Sequence, residues 1–97
     1  MEKERQAKEL YKRLSETFAI SSPPTNISIN EPGLQWNCTI EHNDHQCAIY
    51  CFGEKGYAIS FLTNFVSKAR GRTGLEYELI SSVASWLANR NLNELLD

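Results

Sequence analysis

The stretch LQWNCTIEHNDHQCAIYCF, residues 34–52, decides the fold, because apolar and polar side chains alternate on both sides of an Asn43-Asp44 turn. Such alternation is typical of strands with one buried face and one face in water. Asn and Asp both tolerate the positive φ angles of a two-residue hairpin turn. The sequence therefore predicts an antiparallel hairpin with one apolar face. The predicted neighbours on that face are Ile40 and Cys47, Cys38 and Ile49, and Trp36 and Cys51.

A further strand is predicted over residues 57–63, after a turn at residues 54–56 that ends in glycine. A three-residue loop places Ile59 beside Cys51 and Phe61 beside Ile49, which extends the same apolar face. A tighter loop would turn Ile59 and Phe61 to the other face. We favour the first register because it gives one consistent buried face. Residues 25–30 predict a short, weak strand, and residues 64–72 predict a loop.

Two helices are predicted around these strands. Residues 3–20 carry apolar side chains at helical spacing and end before Pro23-Pro24, which cannot continue a helix. The last helix is expected from about Gly74 to Asn89, with Thr73 as its N-cap in a capping-box pattern with Glu76. The predicted apolar stripes are Ala7, Leu10, Tyr11, Leu14 and Phe18 in the first helix, and Leu75, Leu79, Ile80, Val83, Ala84 and Leu87 in the last. Leu92, Leu95 and Leu96 follow, either as a cap on the core or as the start of a longer chain.

The predicted fold class is α+β. A three- or four-stranded antiparallel meander is flanked by N- and C-terminal helices that pack on one sheet face, since one face must be covered. A chain of 97 residues, with 41% hydrophobic and 23% charged residues, fits a single domain spanning 1–97. Its net charge of −2 argues against a strongly basic nucleic-acid binder. We expect no separate cofactor domain at this length.

The compartment follows from the cysteines and the N-terminus. Three cysteines are an odd, low number that argues against a disulfide framework and favours reduced thiols. The first residues mix charges without an apolar core, so no signal peptide is expected. No apolar run approaches the ~18 residues of a membrane helix. The sequence therefore predicts a cytoplasmic protein without membrane association.

The outer sheet face is one candidate site. By alternation it carries mostly small or polar side chains, with Tyr50, Phe52 and Leu62 as the large exceptions. Exposed aromatic residues on a sheet face form a partner surface or a base-stacking platform. A platform needs nearby cations, and residues 21–53 contain no Lys or Arg. Tyr50, Phe52 and Leu62 are therefore predicted to bind a protein partner or a second copy of the chain, with ordinary scattered surface hydrophobes as the alternative.

The basic segment before the last helix is a second candidate. Lys68, Arg70 and Arg72 precede Thr73 at the predicted helix start. Free backbone N–H groups and the helix dipole favour an anion there, and Arg supplies bidentate donors. Capping alone explains Thr73 and Glu76, which favours a solvated loop with a simple helix cap, and anion binding by Lys68, Arg70, Arg72 and Thr73 is the hypothesis kept beside it.

Catalytic and metal-binding chemistry is weakly supported. Zinc-type ligands fall within one hairpin, but without the paired spacing of zinc sites, so the thiols are interpreted as small core residues. These ligands are Cys38, His42, His45, Cys47 and Cys51. A cysteine nucleophile needs a positioned base, and the sequence suggests none. We assign no catalytic residue, metal or cofactor, and favour a binding domain over an enzyme.

The C-terminal third resembles the ending of small, uncharacterised bacterial domains. The similarity rests on a Gly-x-Thr helix start at Gly71 and Thr73, a Trp-Leu pair at Trp86 and Leu87, and a Leu-x-x-Leu tail from Leu92. The resemblance implies no activity and no catalytic residues. The sequence as a whole therefore predicts a small protein-interaction domain that uses its outer sheet face or a strand edge. The alternative is an anion-binding domain for a nucleotide or nucleic-acid phosphate.

Overall fold

The computed structural model describes residues 2–18, 26–30, 36–42, 44–64 and 66–96, with residues 90–96 as backbone only. The predicted helix stop at residues 21–24 and the hairpin residues Leu34, Gln35 and Asn43 lie outside them. Along the chain the elements are α1 (Glu2–Phe18), β1 (Asn26–Asn30), β2 (Asn37–His42), β3 (His45–Cys51), a short 3-10 turn (Gly53–Lys55), β4 (Tyr57–Thr63), β5 (Val66–Thr73) and α2 (Glu76–Leu96).

The strands form one antiparallel sheet in the order β1-β2-β3-β4-β5, and both helices pack on it. The predicted α+β class and meander are confirmed. The sheet has five strands rather than three or four, because the weak strand candidate pairs with a neighbour and Val66–Thr73, predicted as a loop, does so as well. β1 pairs with β2 as predicted for residues 25–30.

The prediction of a loop over residues 64–72 is wrong, since Val66–Thr73 forms β5 against β4. Alternating arginines and small residues suggested a solvated loop. An edge strand also carries charged side chains, because water reaches it as it reaches a loop. A register shift between Phe61 and Leu62 leaves Lys68 as the extra residue of a β-bulge.

The hairpin of β2 and β3 has the predicted register. Ile40 pairs with Cys47 and Cys38 with Ile49, and the Cys51 N–H donates to the Trp36 carbonyl at 3.0 Å. The predicted β3–β4 pairs are wrong by two residues. The observed pairs are Ile49 with Ile59 and Cys47 with Phe61.

The longer β3–β4 connection explains this slip. Five residues, 52–56, join the strands through the 3-10 turn, and Gly56 closes the connection at φ 88°. A slip of two residues keeps every side chain on its face, whereas a slip of one would exchange the faces. Ile59 and Phe61 therefore lie on the predicted buried face.

The core lies between the helices and the inner face of the sheet. Its fully buried large side chains are Leu10, Leu14, Ile40, Ile49, Leu79 and Val83, with Cys38, Cys47 and Cys51 between them. Three predicted stripe residues are instead exposed: Tyr11 at 37%, Leu75 at 49%, and Ala84. Leu75 precedes the first residue of α2, which explains its exposure.

Polar contacts connect the helices to the sheet and to each other. The Gln6 amide of α1 accepts from the Gly53 N–H at 2.8 Å and donates to the Gly53 carbonyl at 3.1 Å, which anchors the β3–β4 connection. At the start of α2, the Thr73 hydroxyl accepts from the Leu75 N–H at 3.2 Å. Glu76 lies 3.5 Å from the Arg13 guanidinium, so this carboxylate links α2 to α1.

Candidate binding surface

The outer face of β3 and β4 is built from small side chains around Tyr50. The register places Tyr50 opposite Ala58, and Ala48 opposite Ser60. Tyr50 is half-exposed, whereas Ala48 is 9% exposed. Small side chains therefore surround the one large aromatic ring on this part of the outer face. This part of the outer face follows the predicted alternation.

Arg70 and Arg72 lie on the same outer face as Tyr50. Arg70 pairs with Ser60, and Arg72 pairs with Ala58, the residue opposite Tyr50. Side chains paired across a strand ladder share one face. The two guanidinium groups and the tyrosine ring surround an open depression of about 510 Å³, with Ser60 and Gly71 in its lining. We call Tyr50, Phe52, Ser60, Arg70 and Arg72 the arginine–tyrosine surface.

The arginines are held in place without a carboxylate partner. The Arg72 guanidinium lies 5.2 Å from the Phe52 ring centroid, a cation–π contact. The Arg70 Nε donates to the Ser67 hydroxyl at 3.2 Å. Among the described residues neither guanidinium ion-pairs, whereas Arg5 and Arg13 each lie within 4 Å of a glutamate. Arg70 and Arg72 therefore present positive charge that no carboxylate of the described residues pairs with.

The other predicted site residues lie elsewhere. Leu62 is half-buried at the far end of β4, opposite Gln46. Lys68 occupies the bulge and lines a different cavity. The Thr73 hydroxyl contacts the Glu78 carboxylate as well as the Leu75 N–H, so it is engaged at the helix start. The structure thus brings Tyr50, Phe52, Arg70 and Arg72 together and separates Leu62, Lys68 and Thr73 from them.

That second cavity, of about 580 Å³, lies between α2 and the β4–β5 pair. Its apolar wall contains Phe61 and Trp86, whose ring centroids are 5.8 Å apart at a tilt of 34°. Ala69 and Ser85 also line it, together with Lys68 at the bulge. The cavity can therefore take an apolar group with a polar or anionic end.

The three cysteines are free and buried, and burial changes their acidity. Burial raises the pKa of Cys38 to about 12 and that of Cys51 to about 11, and it also raises the pKa of Cys47. Because the thiolate is the nucleophile and metal ligand, these protonated thiols are inert at neutral pH. Within the described ranges, no three His, Cys, Asp or Glu side chains are grouped to hold a metal ion.

The histidines of the predicted cluster serve the hairpin. His42 and His45 are cross-strand partners at the end of the β2–β3 ladder. The His45 Nδ1 lies 3.0 Å from the Thr63 hydroxyl of β4, within hydrogen-bond distance. His42 is 4% exposed. Both histidines therefore contribute to the packing of the β2–β3 hairpin.

Sequence reasoning missed the meeting of the basic segment with the aromatic residues. Part of the signal was present in the alternation of Ala69 and Gly71 with Arg70 and Arg72. Period-two patterning with small residues on the inner side indicates a strand at a sheet edge. The three cations dominated the interpretation of this segment and made it resemble a solvated loop.

Fold and surface together define a small α+β domain with an open, cationic and aromatic sheet face. The chain matches no protein-family model, no curated protein and no solved structure. The resemblance of the C-terminal third to small bacterial domains stays a prediction, and its Gly71 and Thr73 lie at the end of β5, before α2 begins at Glu76. Across the described part of the chain, no helix has the length and apolarity needed to cross a membrane.

Proposed function

We propose that this protein is an interaction domain that binds an acidic segment of a partner protein on the arginine–tyrosine surface. The observation that carries the proposal is the pair of guanidinium groups beside Tyr50 on one sheet face, for which the described residues supply no ion-pair partner. Arg donates two parallel hydrogen bonds to a carboxylate, and Arg and Tyr are both enriched where proteins bind each other. The three free thiols suit a cytoplasmic setting for this interaction.

A different protein fits this surface better than a second copy of the chain. A two-fold contact uses the same patch on both copies. Such a contact centred here would set Arg70 and Arg72 against the same cations of the partner, and like charges repel at an interface. The predicted homodimer therefore becomes an outcome of the test rather than the leading form.

A peptide titration tests the proposal. The probe is a peptide containing four consecutive glutamates, followed through backbone amide chemical shifts of the labelled protein, with a glutamine counterpart as its control. We expect shifts around Tyr50 and β5 with the glutamate peptide only. The double variant R70Q/R72Q should weaken binding at least about tenfold, because each charge-assisted contact contributes one to several kcal/mol.

The matched control is R5Q/R13Q, which removes two arginines that already pair with glutamates. This variant should bind like the wild type if position rather than net charge matters. Equal weakening by both double variants contradicts the proposal. So does a dimer that persists at high salt and is broken by Tyr50→Ser, because that result assigns the surface to a second copy.

A phosphate ligand is the second candidate, since an aromatic ring beside arginines on an open sheet also suits a single-stranded nucleic acid. Two findings weigh against it. Lys68 lies away from the surface, and the net charge is −2. A single-stranded oligonucleotide that binds more tightly than the glutamate peptide, with affinity falling steeply as salt rises, would favour this candidate.

A further inference from the structure

The open edge of β5 gives the proposed interaction a binding mode. We propose that the acidic segment binds as an added strand beside β5, with carboxylates at alternate positions that meet Arg70 and Arg72. This inference rests on the proposed function, since it specifies how Arg70 and Arg72 hold the acidic segment; Tyr50, on β3, lies two strands away from β5 and does not contact the added strand. Strand addition supplies affinity through main-chain hydrogen bonds and specificity through alternate side chains.

The edge itself is available among the described residues. β5 is the last strand in the sheet order, and no described strand pairs with its second side. Its residues from Val66 to Arg72 are exposed, and Val66 is 57% exposed. A bulge at Lys68 interrupts regular pairing on one half of the strand. The half from Ala69 to Thr73 is therefore the regular template for a short added strand.

The hydrogen-bond alternation of the sheet identifies the free backbone groups. The Phe52 N–H donates to the Gly56 carbonyl, and the Asn64 N–H donates to the Asp44 carbonyl, at the two ends of the β3–β4 pair. In an antiparallel pair, main-chain hydrogen bonds recur at every second residue. The backbone groups of Ala58 and Ser60 in β4 therefore bond to β3. Ile59 and Phe61 then bond to β5.

The β5 partners of those two residues are Gly71 and Ala69. The backbone N–H and C=O groups of Gly71 and Ala69 therefore point toward β4. The same groups of Arg70 and Arg72 point toward the open edge, because directions alternate along an antiparallel strand. Arg70 and Arg72 therefore carry exposed charge and also have backbone groups that point toward the open edge.

The side-chain pattern of the added strand follows from this register. Its residues opposite Arg70 and Arg72 are two positions apart and lie on the outer face, within reach of the guanidinium groups. The residue between them lies opposite Gly71 on the inner face. The next inner position lies beside Ala69, at the cavity walled by Phe61 and Trp86. The segment that fits has acidic, apolar and acidic residues in alternation.

Charge complementarity excludes a second β5 as the added strand. Two β5 edges side by side would bring Arg70 and Arg72 near the Lys and Arg residues of the other copy, and like charges directly opposite each other are destabilising. The cations and the bulge are devices that keep sheet edges from self-pairing. An acidic strand avoids that repulsion and uses the same groups.

A matched pair of variants separates the backbone from the side chain. Arg70→Ala removes the charge, whereas Arg70→Pro removes the charge and the N–H that points to the edge. The bonds of β5 to β4 stay in place because Arg70 contributes none of them, and proline is tolerated on edge strands. The probe is a nine-residue peptide in which glutamates alternate with valine and leucine.

We expect Arg70→Pro to bind this probe about five- to tenfold more weakly than Arg70→Ala, the effect of one lost backbone hydrogen bond and its disturbed neighbour. A peptide of the same composition with its glutamates consecutive should bind the wild type more weakly. Equal affinity of the Pro and Ala variants overturns strand addition and leaves the proposed function intact. No binding of either peptide to the wild type overturns both.

Hydrogen exchange on the unmodified protein gives a readout that does not depend on the folding of a proline variant. In the free protein the amides of Ala69 and Gly71 should exchange slowly, and those of Arg70 and Arg72 quickly. Saturation with the alternating peptide should slow the exchange of Arg70 and Arg72 at least about tenfold. Unchanged exchange at these two amides under saturation would falsify the added strand.

Discussion

Along β3, Ile49 is fully buried against the helices, whereas its neighbour Tyr50 is half-exposed on the outer face. Along β5 the side chains also alternate between the two faces, but they are of different types. The inner positions are Ala69 and Gly71, which supply little apolar bulk, and the outer positions are Arg70 and Arg72. β3 thus contributes large side chains to the core, while β5 contributes charge to the outside. The comparison indicates that the inner face determines stability and that the β5 side of the outer face is available for binding.

The largest expected effect on stability comes from Ile49→Ala. Its side chain is 0% exposed, so truncation removes buried apolar surface and leaves a cavity, at a cost of about 2–5 kcal/mol. Tyr50→Ala, one residue away on the outer face, should cost about 1 kcal/mol or less. Urea unfolding of both variants gives the free energies of unfolding. Similar losses at the two positions would contradict the division between the faces.

The next largest effect on stability is expected in the connection between β3 and β4. A Cβ atom at Gly56 would lie 2.4 Å from the Thr73 carbonyl oxygen, at a φ of 88° that L-residues rarely adopt. Gly56→Ala should therefore lower the free energy of unfolding by about 1–3 kcal/mol.

Gly53→Ala is the matched control for this prediction. Gly53 also has positive φ, but its nearest new contact would be the Glu2 side chain at 3.9 Å. It should lose only the smaller penalty of a left-handed residue, about 1 kcal/mol. The same urea unfolding measurement compares the two variants. A loss at Gly53 equal to that at Gly56 would show that the close approach of β5 to this turn adds nothing.

The buried thiols make the inner face sensitive to alkaline pH. Cys38, Cys47 and Cys51 have raised pKa values in the folded protein, while the unfolded thiols titrate near their ordinary pKa of about 8.5. Below that pH both states keep their thiol protons. Above it the unfolded chain holds fewer protons, so stability falls as pH rises toward the folded pKa values.

Each such thiol steepens the loss of stability by up to about 1.4 kcal/mol per pH unit. Urea unfolding from pH 8 to 10.5 measures the slope for the wild type and for Cys47→Ala. The variant should show the shallower slope, because one buried thiol is gone. Parallel slopes would mean that Cys47 is ionised or solvated in the folded state.

Much of the fold was predictable because the hydrophobic pattern is strong where the core is. The alternation of residues 34–52 gave the correct β2–β3 register, and the α1 stripe gave Leu10 and Leu14 as buried residues. β5 was missed because its inner positions are Ala69 and Gly71, which carry almost no hydrophobic signal. Its strand conformation comes from backbone pairing with β4, a long-range contact that local patterning does not record.

The candidate surface could be predicted only as separate parts. Tyr50 and Phe52 followed from alternation, and Arg70 and Arg72 followed from local charge. Their meeting on one face depends on the β4–β5 register, which places Arg72 opposite Ala58. Sequence separation hid that register. Thr73 was assigned to an anion site because a threonine that caps a helix and a threonine that binds an anion at a helix start occupy the same position in the sequence.

The smallest expected effect on stability is that of Arg72→Ala, and it sharpens the comparison most. The guanidinium is exposed, and its contact with Phe52 is a cation–π contact of about 0.5–1 kcal/mol at such sites. Truncation also removes the repulsion from Arg70, two residues along the same face, which offsets part of that loss. The free energy of unfolding should therefore change by about 0.5 kcal/mol or less, while affinity for the alternating acidic peptide falls about tenfold.

Arg72→Lys should retain stability and recover part of the affinity, because it keeps the charge but loses the planar bidentate fork. A stability loss above about 1.5 kcal/mol for Arg72→Ala, with affinity reduced only in proportion, would show that Arg72 has a structural role. The outer face would then contribute to stability as the inner face does.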